Sequence, residues 1–257
     1  MKKYLYISLF VCSVCILIFI DNNYKLEKSE RAAETETKPA ASNLIVVDHP
    51  LIQHHLSIIR NKNTKSNEFR ESSQKIAGML ILEATKNLPM DEIDVSTPIE
   101  KTKCRRVDPN NPVVVISILR AGLAISTVAE RIIPGAVTLH LGMYRDEKTH
   151  KPVWYYNRLP KTFANQFTKV YVCDPMLATG GSAYEAIKEC ITRGANEENI
   201  VFVCVISAPE GVAKLLKAFP KIKIITASVD SKLNDKAYII PGLGDAGDRT
   251  FNTTNIE

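Results

Sequence analysis

The nine residues Asp174-Pro175-Met176-Leu177-Ala178-Thr179-Gly180-Gly181-Ser182 constrain the fold more than any other stretch of this chain. They follow Val170-Tyr171-Val172-Cys173, an apolar run of the kind found in short buried strands. They precede residues 184–191, whose apolar spacing is helical and which Gly194 brings to a stop. An acid therefore stands at the carboxyl end of a strand, and a Thr-Gly-Gly-Ser turn opens a helix. The glycines let the backbone come close to a ligand. The unpaired N–H groups and positive dipole end of a helix start favour an anion, phosphate above all. Thr179 and Ser182 add hydroxyl donors. Asp174 repels a phosphate and suits the hydroxyls of a sugar attached to it. The unit predicts a sugar-phosphate cradle. No Gly-Lys-Ser/Thr follows, so it is not a P-loop.

The surrounding chain alternates strand and helix patterns. Residues 113–118 form a continuous β-branched run, as in a strand covered on both faces. Residues 137–141, 170–173, 200–206 and 222–227 read as further strands, and 67–88, 123–133, 182–193 and 210–219 as helices. This predicts an α/β fold: a mostly parallel central sheet flanked by helices, with ligands at the strands' carboxyl ends. Residues 153–156 are expected in a small β flap or hood. Arg120 directly follows the 113–118 strand, and Arg145 closes Met143-Tyr144-Arg145. Either is an ordinary surface arginine taken alone, but a guanidinium at a strand end can grip phosphate oxygens with two bonds. Gly242, Gly244 and Gly247 match a dinucleotide fingerprint by letter. They lie too near the carboxyl terminus for a strand–helix unit to complete it, so they read as a backbone-lined pocket.

At 45% hydrophobic and 24% charged residues, 257 residues suit one α/β domain. A net charge of +5 without a basic, aromatic-laced run gives no reason to expect nucleic acid, and suits a polyanionic substrate. Residues 1–20 differ: Lys2 and Lys3 precede the uncharged stretch 4–20. This is a signal-anchor-like segment, or a cleaved peptide, or an upstream start. Residues 21–43 are polar and of mixed charge, as in a disordered tether, and 44–257 form the domain. Cys104, Cys173, Cys190 and Cys204 are scattered and read as reduced, mostly buried thiols. No metal-ligand cluster stands out in the sequence. His49 and His140 read as packed or capping residues, and His54 and His55 as surface ones.

The nonapeptide resembles the phosphoribosyl-pyrophosphate (PRPP) motif of type I phosphoribosyltransferases, in its uracil phosphoribosyltransferase form. The resemblance extends from about residue 44 to about residue 251. It includes His49-Pro50-Leu51, Ile118-Leu119-Arg120-Ala121-Gly122-Leu123, Gly142-Met143-Tyr144-Arg145, Ala208-Pro209-Glu210-Gly211 and residues 238–248. It implies transfer of 5-phosphoribosyl from PRPP to uracil N1, giving UMP and pyrophosphate. It further implies that Asp174, Arg120, Arg145 and Asp245 are the catalytic groups. PRPP contacts fall on Arg120, Arg145, Asp245 and each of Asp174, Pro175, Met176, Leu177, Ala178, Thr179, Gly180, Gly181 and Ser182. Uracil is met by Ile239, Gly244, Asp245 and Ala246, largely through backbone atoms. Mg²⁺ arrives mainly through PRPP, GTP is a possible activator, and the family suggests a homodimer or homotetramer. The alternative is a non-catalytic PRPP- or nucleotide-sensing paralogue, or a regulatory protein. The cysteines favour a cytoplasmic domain, while residues 1–20 suggest a membrane anchor or secretory or organelle targeting.

Overall fold

A computed structural model describes residues 43–145, 152–163 and 169–253. The expectation for residues 1–20 lies outside these, as does that for the tether 21–43 apart from Asn43. Among the described residues no helix is long and apolar enough to cross a membrane.

The sheet is organised around β4 (Val113–Leu119). Its first six residues are all buried: five are β-branched Val or Ile, and the other is Ser117. On one side β4 pairs in parallel with β7 (Lys169–Cys173), on the other with β5 (Val137–Arg145). Outside β7 lie β9 (Ile200–Ser207), β10 (Lys223–Val229) and β1 (Leu44–Val46), all parallel. Outside β5 lies β6 (Pro152–Asn157), antiparallel, so the segment expected in a flap is the sheet's edge strand. A short β8 (Met176–Leu177) also pairs with β9.

Alternate side chains of β4 feed two cores. Val113 and Val115 join a layer formed with α1 (Pro50–Arg60), α2 (Ser66–Thr85) and α3 (Leu123–Ile132). Val114, Ile116 and Ile118 join one formed with α4 (Gly181–Thr192) and α5 (Pro209–Ala218). Burying one such side chain contributes about 1.5–3 kcal/mol. The path from β4 through α3 to β5 moves one way along the sheet, and that from β7 through α4 to β9 moves the other. Strand order therefore reverses between β4 and β7, which opens a crevice at their carboxyl ends.

Three elements exceed the sequence reading. In α1, His49 Nδ1 accepts from Leu51 N–H and Pro50 takes the first turn, while Ile52, Leu56 and Ile59 form the buried stripe. In a hairpin of β2 (Met90–Ser96) and β3 (Lys101–Val107), β2 alternates exposed and half-buried residues, β3 is mostly exposed, and no residue of either strand is buried. A two-stranded sheet of β11 (Lys232–Leu233) and β12 (Ile239–Ile240) leads into α6 (Ala246–Phe251).

Candidate active site

The cradle is pinned to β9 through main-chain bonds. Asp174 N–H donates to Val203 O at 3.2 Å, Pro175 O accepts from Val205 and Ile206, and Leu177 O accepts from Ala208 at 2.8 Å. Gly180 then takes a left-handed conformation, φ +71°, which glycine adopts without strain, and the chain turns into α4. No side chain caps this helix start. Its first N–H groups, which no helical carbonyl can reach, lie at the turn where the sequence leads one to expect an anion. Gly211 of α5 packs against the same turn: a Cβ there would lie 2.4 Å from Ala178 O.

Asp174 is half-buried at the end of β7. Burial pushes its carboxyl up to about 7, partly opposed by a hydrogen bond from Met176 N–H and reinforced by the charge of Asp245. An acid poised near neutrality by burial and a second carboxylate marks a functional site. The pair also fits a divalent cation, whose charge relieves both. Among the described residues no group of three or more His, Cys, Asp or Glu side chains could hold a metal ion, so a cation here would take further oxygens from its ligand.

Across the crevice, Gly122 lets α3 begin against β7: a Cβ on it would lie 2.4 Å from Cys173 O. The preceding Arg120 thus stands at the same sheet edge as Asp174. Its side chain is 57% exposed, with Nη2 3.3 Å from Asp248 Oδ1. The Leu119–Arg120 peptide is cis. Arg145 ends β5, three residues beyond Gly142, the partner of Leu119 in the register.

The third wall is the segment before α6. Asp245 caps that helix, its Oδ1 accepting from Asp248 N–H at 2.9 Å. A cavity of about 260 Å³ brings Met176 and Ala178 of the cradle together with Tyr238, Ile239, Gly244 and Asp245. Ala246, next to Asp245 in the chain, is buried. Cradle and glycine-rich loop, far apart in sequence, thus meet around one space.

Two residues absent from the sequence reading hold this loop. Asp230, directly after β10, accepts from Arg60 at 2.6 and 2.8 Å, from Ser228 Oγ at 2.8 Å and from Gly242 N–H at 2.9 Å. These bonds outweigh burial and hold its carboxyl below the usual range. Removing one partner of a buried ion pair costs on the order of 3–5 kcal/mol. The strand-end acid signal that marks Asp174 marks Asp230 as well.

A mostly parallel sheet thus carries an acid and a Thr-Gly-Gly-Ser turn at the end of one strand and an arginine at the end of the next, with a cavity beside the turn, the arrangement expected of a type I phosphoribosyltransferase. The uracil phosphoribosyltransferase family model matches residues 46–253. A uracil phosphoribosyltransferase of Dictyoglomus turgidum is 49% identical over 210 residues, covering 82% of this chain and 99% of that protein. One from Lactococcus lactis is 46% identical over 212 residues, covering 82% and 99%. The solved structure of the AQ2163 protein from Aquifex aeolicus matches with a TM-score of 0.74 at 34% identity, covering 83% of this chain and 100% of that one. This chain belongs to the uracil phosphoribosyltransferase family.

Proposed function

We propose that this chain joins uracil to PRPP, forming the bond from uracil N1 to the anomeric carbon as the bond from that carbon to pyrophosphate breaks, with N1 giving up its proton. The observation that carries this reading is the meeting of Met176 and Ala178 with Ile239, Gly244 and Asp245 around one cavity beside the phosphate cradle. Thr179, Gly180, Gly181 and Ser182 hold the 5′-phosphate at the start of α4. Asp174 accepts from the ribose hydroxyls. Arg120 and Arg145 balance the charge that gathers on the departing pyrophosphate, the kind of positioned electrostatic help that lowers such barriers most. Mg²⁺, brought by PRPP, would supply further charge neutralisation, and Asp174 and Asp245 are the residues that would face it. The loop of Ile239, Gly244 and Ala246 offers main-chain N–H and C=O groups to the uracil edge. Cytosine inverts the pattern at O4 and N3, leaving buried polar groups unpaired, so discrimination on the order of 10⁴–10⁵ is within reach.

Incubating the protein with uracil, PRPP and Mg²⁺ and following UMP by chromatography tests the reading. No UMP at any substrate concentration would overturn it.

Three finer features belong to the same proposal. A GTP activator is supported by a cavity of about 870 Å³ beside residues 241–244, lined by Arg60, Lys62, Lys65, Arg70 and Arg249 with no acid among its lining residues. A dimer or tetramer is supported by the β2–β3 hairpin, whose Ile99 is 93% exposed. Membrane anchoring or targeting through residues 1–20 is supported by their charge-free run behind two lysines.

A further inference from the structure

Gly242 is held at both of its main-chain polar groups. Its N–H donates to Asp230 Oδ2 at 2.9 Å, and its carbonyl accepts from Arg60 Nη1 at 2.9 Å. The same Arg60 nitrogen donates to Asp230 Oδ2 at 2.8 Å, so the three residues form a closed ring of hydrogen bonds. Arg60 Nη2 and Ser228 Oγ complete the shell around Asp230 Oδ1 at 2.6 and 2.8 Å. Asp230 is 6% exposed and has its own N–H bonded to Ser207 O at 2.7 Å, fixing it to the central sheet. Gly242 has φ +61°, and a Cβ on it would lie 2.1 Å from Ile239 O, so this turn closes tightly on Ile239. Ile240 O is held by both N–H and Oγ of Ser231, at 2.9 and 2.7 Å.

Ile239 and Gly244 flank the clamped Gly242 and line the cavity beside the cradle, whereas Arg60, Ser228 and Asp230 do not line it. We infer that Arg60 and Asp230 are positioning residues for base recognition: they hold the 239–244 turn in the one shape that presents its main-chain groups to uracil. This rests on the reading that the turn binds uracil. The side chains of the pair join α1 to the end of β10, and the cradle is tied to β7, β9 and α4; the one shared anchor, the bond from Asp230 N–H to Ser207 O at the end of β9, is a main-chain bond that a change in the Arg60 side chain leaves in place. Loosening the pair therefore moves the base wall without moving the phosphate site.

The kinetics separate these two walls. Arg60→Lys keeps a charge but loses the fork that joins Asp230 to the Gly242 carbonyl. It is expected to raise KM for uracil about tenfold or more and to narrow the preference for uracil over cytosine by a similar factor, as a lost charged hydrogen bond would. KM for PRPP should stay within about twofold, because the cradle keeps every bond. Ser228→Ala removes one bond to Asp230 and leaves the fork, so it should fold and shift the same two quantities in the same direction by less. It serves if Arg60→Lys does not fold. Equal rises in both KM values, or unchanged uracil KM and base preference in Ser228→Ala and any folded Arg60→Lys, would overturn the inference. An unmodified protein that makes UMP while its variants behave so overturns this inference alone. One that does not bind uracil overturns the underlying reading with it.

Discussion

Arg120 Nη2 lies 3.3 Å from Asp248 Oδ1, linking the end of β4 to α6 across 128 positions of sequence. The side chains are 57% and 37% exposed, so the pair contributes about 0.2–1 kcal/mol at most. A contact that weak leaves the guanidinium available to a polyphosphate. Arg120→Lys keeps the charge and loses the two-pronged grip. Turnover is expected to fall about tenfold to a hundredfold, the cost of a charged hydrogen bond. The melting temperature should stay close to that of the unmodified protein. Near-normal turnover would remove Arg120 from the reaction.

The carboxyl of Asp174, pushed up to about 7 by burial and the neighbouring Asp245, gives a pH signature. Its folded value lies above its unfolded one, so between roughly pH 4 and pH 7 the folded chain binds the proton more tightly, and stability declines as pH rises through that window. Asp174→Asn abolishes this slope. The variant should gain stability relative to the unmodified protein at about pH 8 and gain little at about pH 4, as thermal melts would read. PRPP affinity should run the other way. A carboxylate that accepts from ribose hydroxyls must be ionised, so binding weakens as pH falls below about 7 and is weak and flat in the variant. A PRPP affinity in the unmodified protein that ignores pH between about 5 and 8 would take Asp174 out of this role.

Gly211 tests the support of the cradle. The Cβ of Gly211→Ala would lie 2.4 Å from Ala178 O and 3.1 Å from Leu177 O, backbone atoms with no room to move aside. Overpacking of this kind costs about 1–3 kcal/mol. The displacement falls on the phosphate turn, so KM for PRPP should rise more than KM for uracil. Similar changes in both would show that the turn absorbs the strain elsewhere.

Residues 1–42 should be dispensable for the chemistry. The sheet begins at Leu44, just after Asn43 O accepts from Ile224 N–H at 2.7 Å, and the family match starts at residue 46. A chain starting at Asn43 should keep the kinetic constants of the full-length protein, while full-length protein alone sediments with membranes. Loss of activity on truncation would show that the segment completes the enzyme.

The central strands were legible because burial on two faces leaves β4 and β9 no choice but apolar, largely β-branched residues. The cradle was legible because Asp174, the two glycines and Ser182 lie side by side in the chain. The α1 stripe of Ile52, Leu56 and Ile59 has helical spacing and was legible in principle, whereas β2 and β3 escaped because half of their residues are charged. The Arg60–Asp230 bond joins positions 170 apart, which no local pattern reports. The pocket wall around Ile239 was legible only through resemblance, since main-chain recognition leaves little trace in side-chain identity.

The closed ring of Arg60, Asp230 and Gly242 also bears on the order in which a growing chain becomes competent. Every residue of the phosphate turn and the strand that pins it has left the ribosome once β9 is made. The base wall waits for residues 239–246 and then reaches back to α1. A ribosome-bound chain that has been made only as far as β9 would thus possess the turn proposed to hold the sugar phosphate before the turn proposed to select the base.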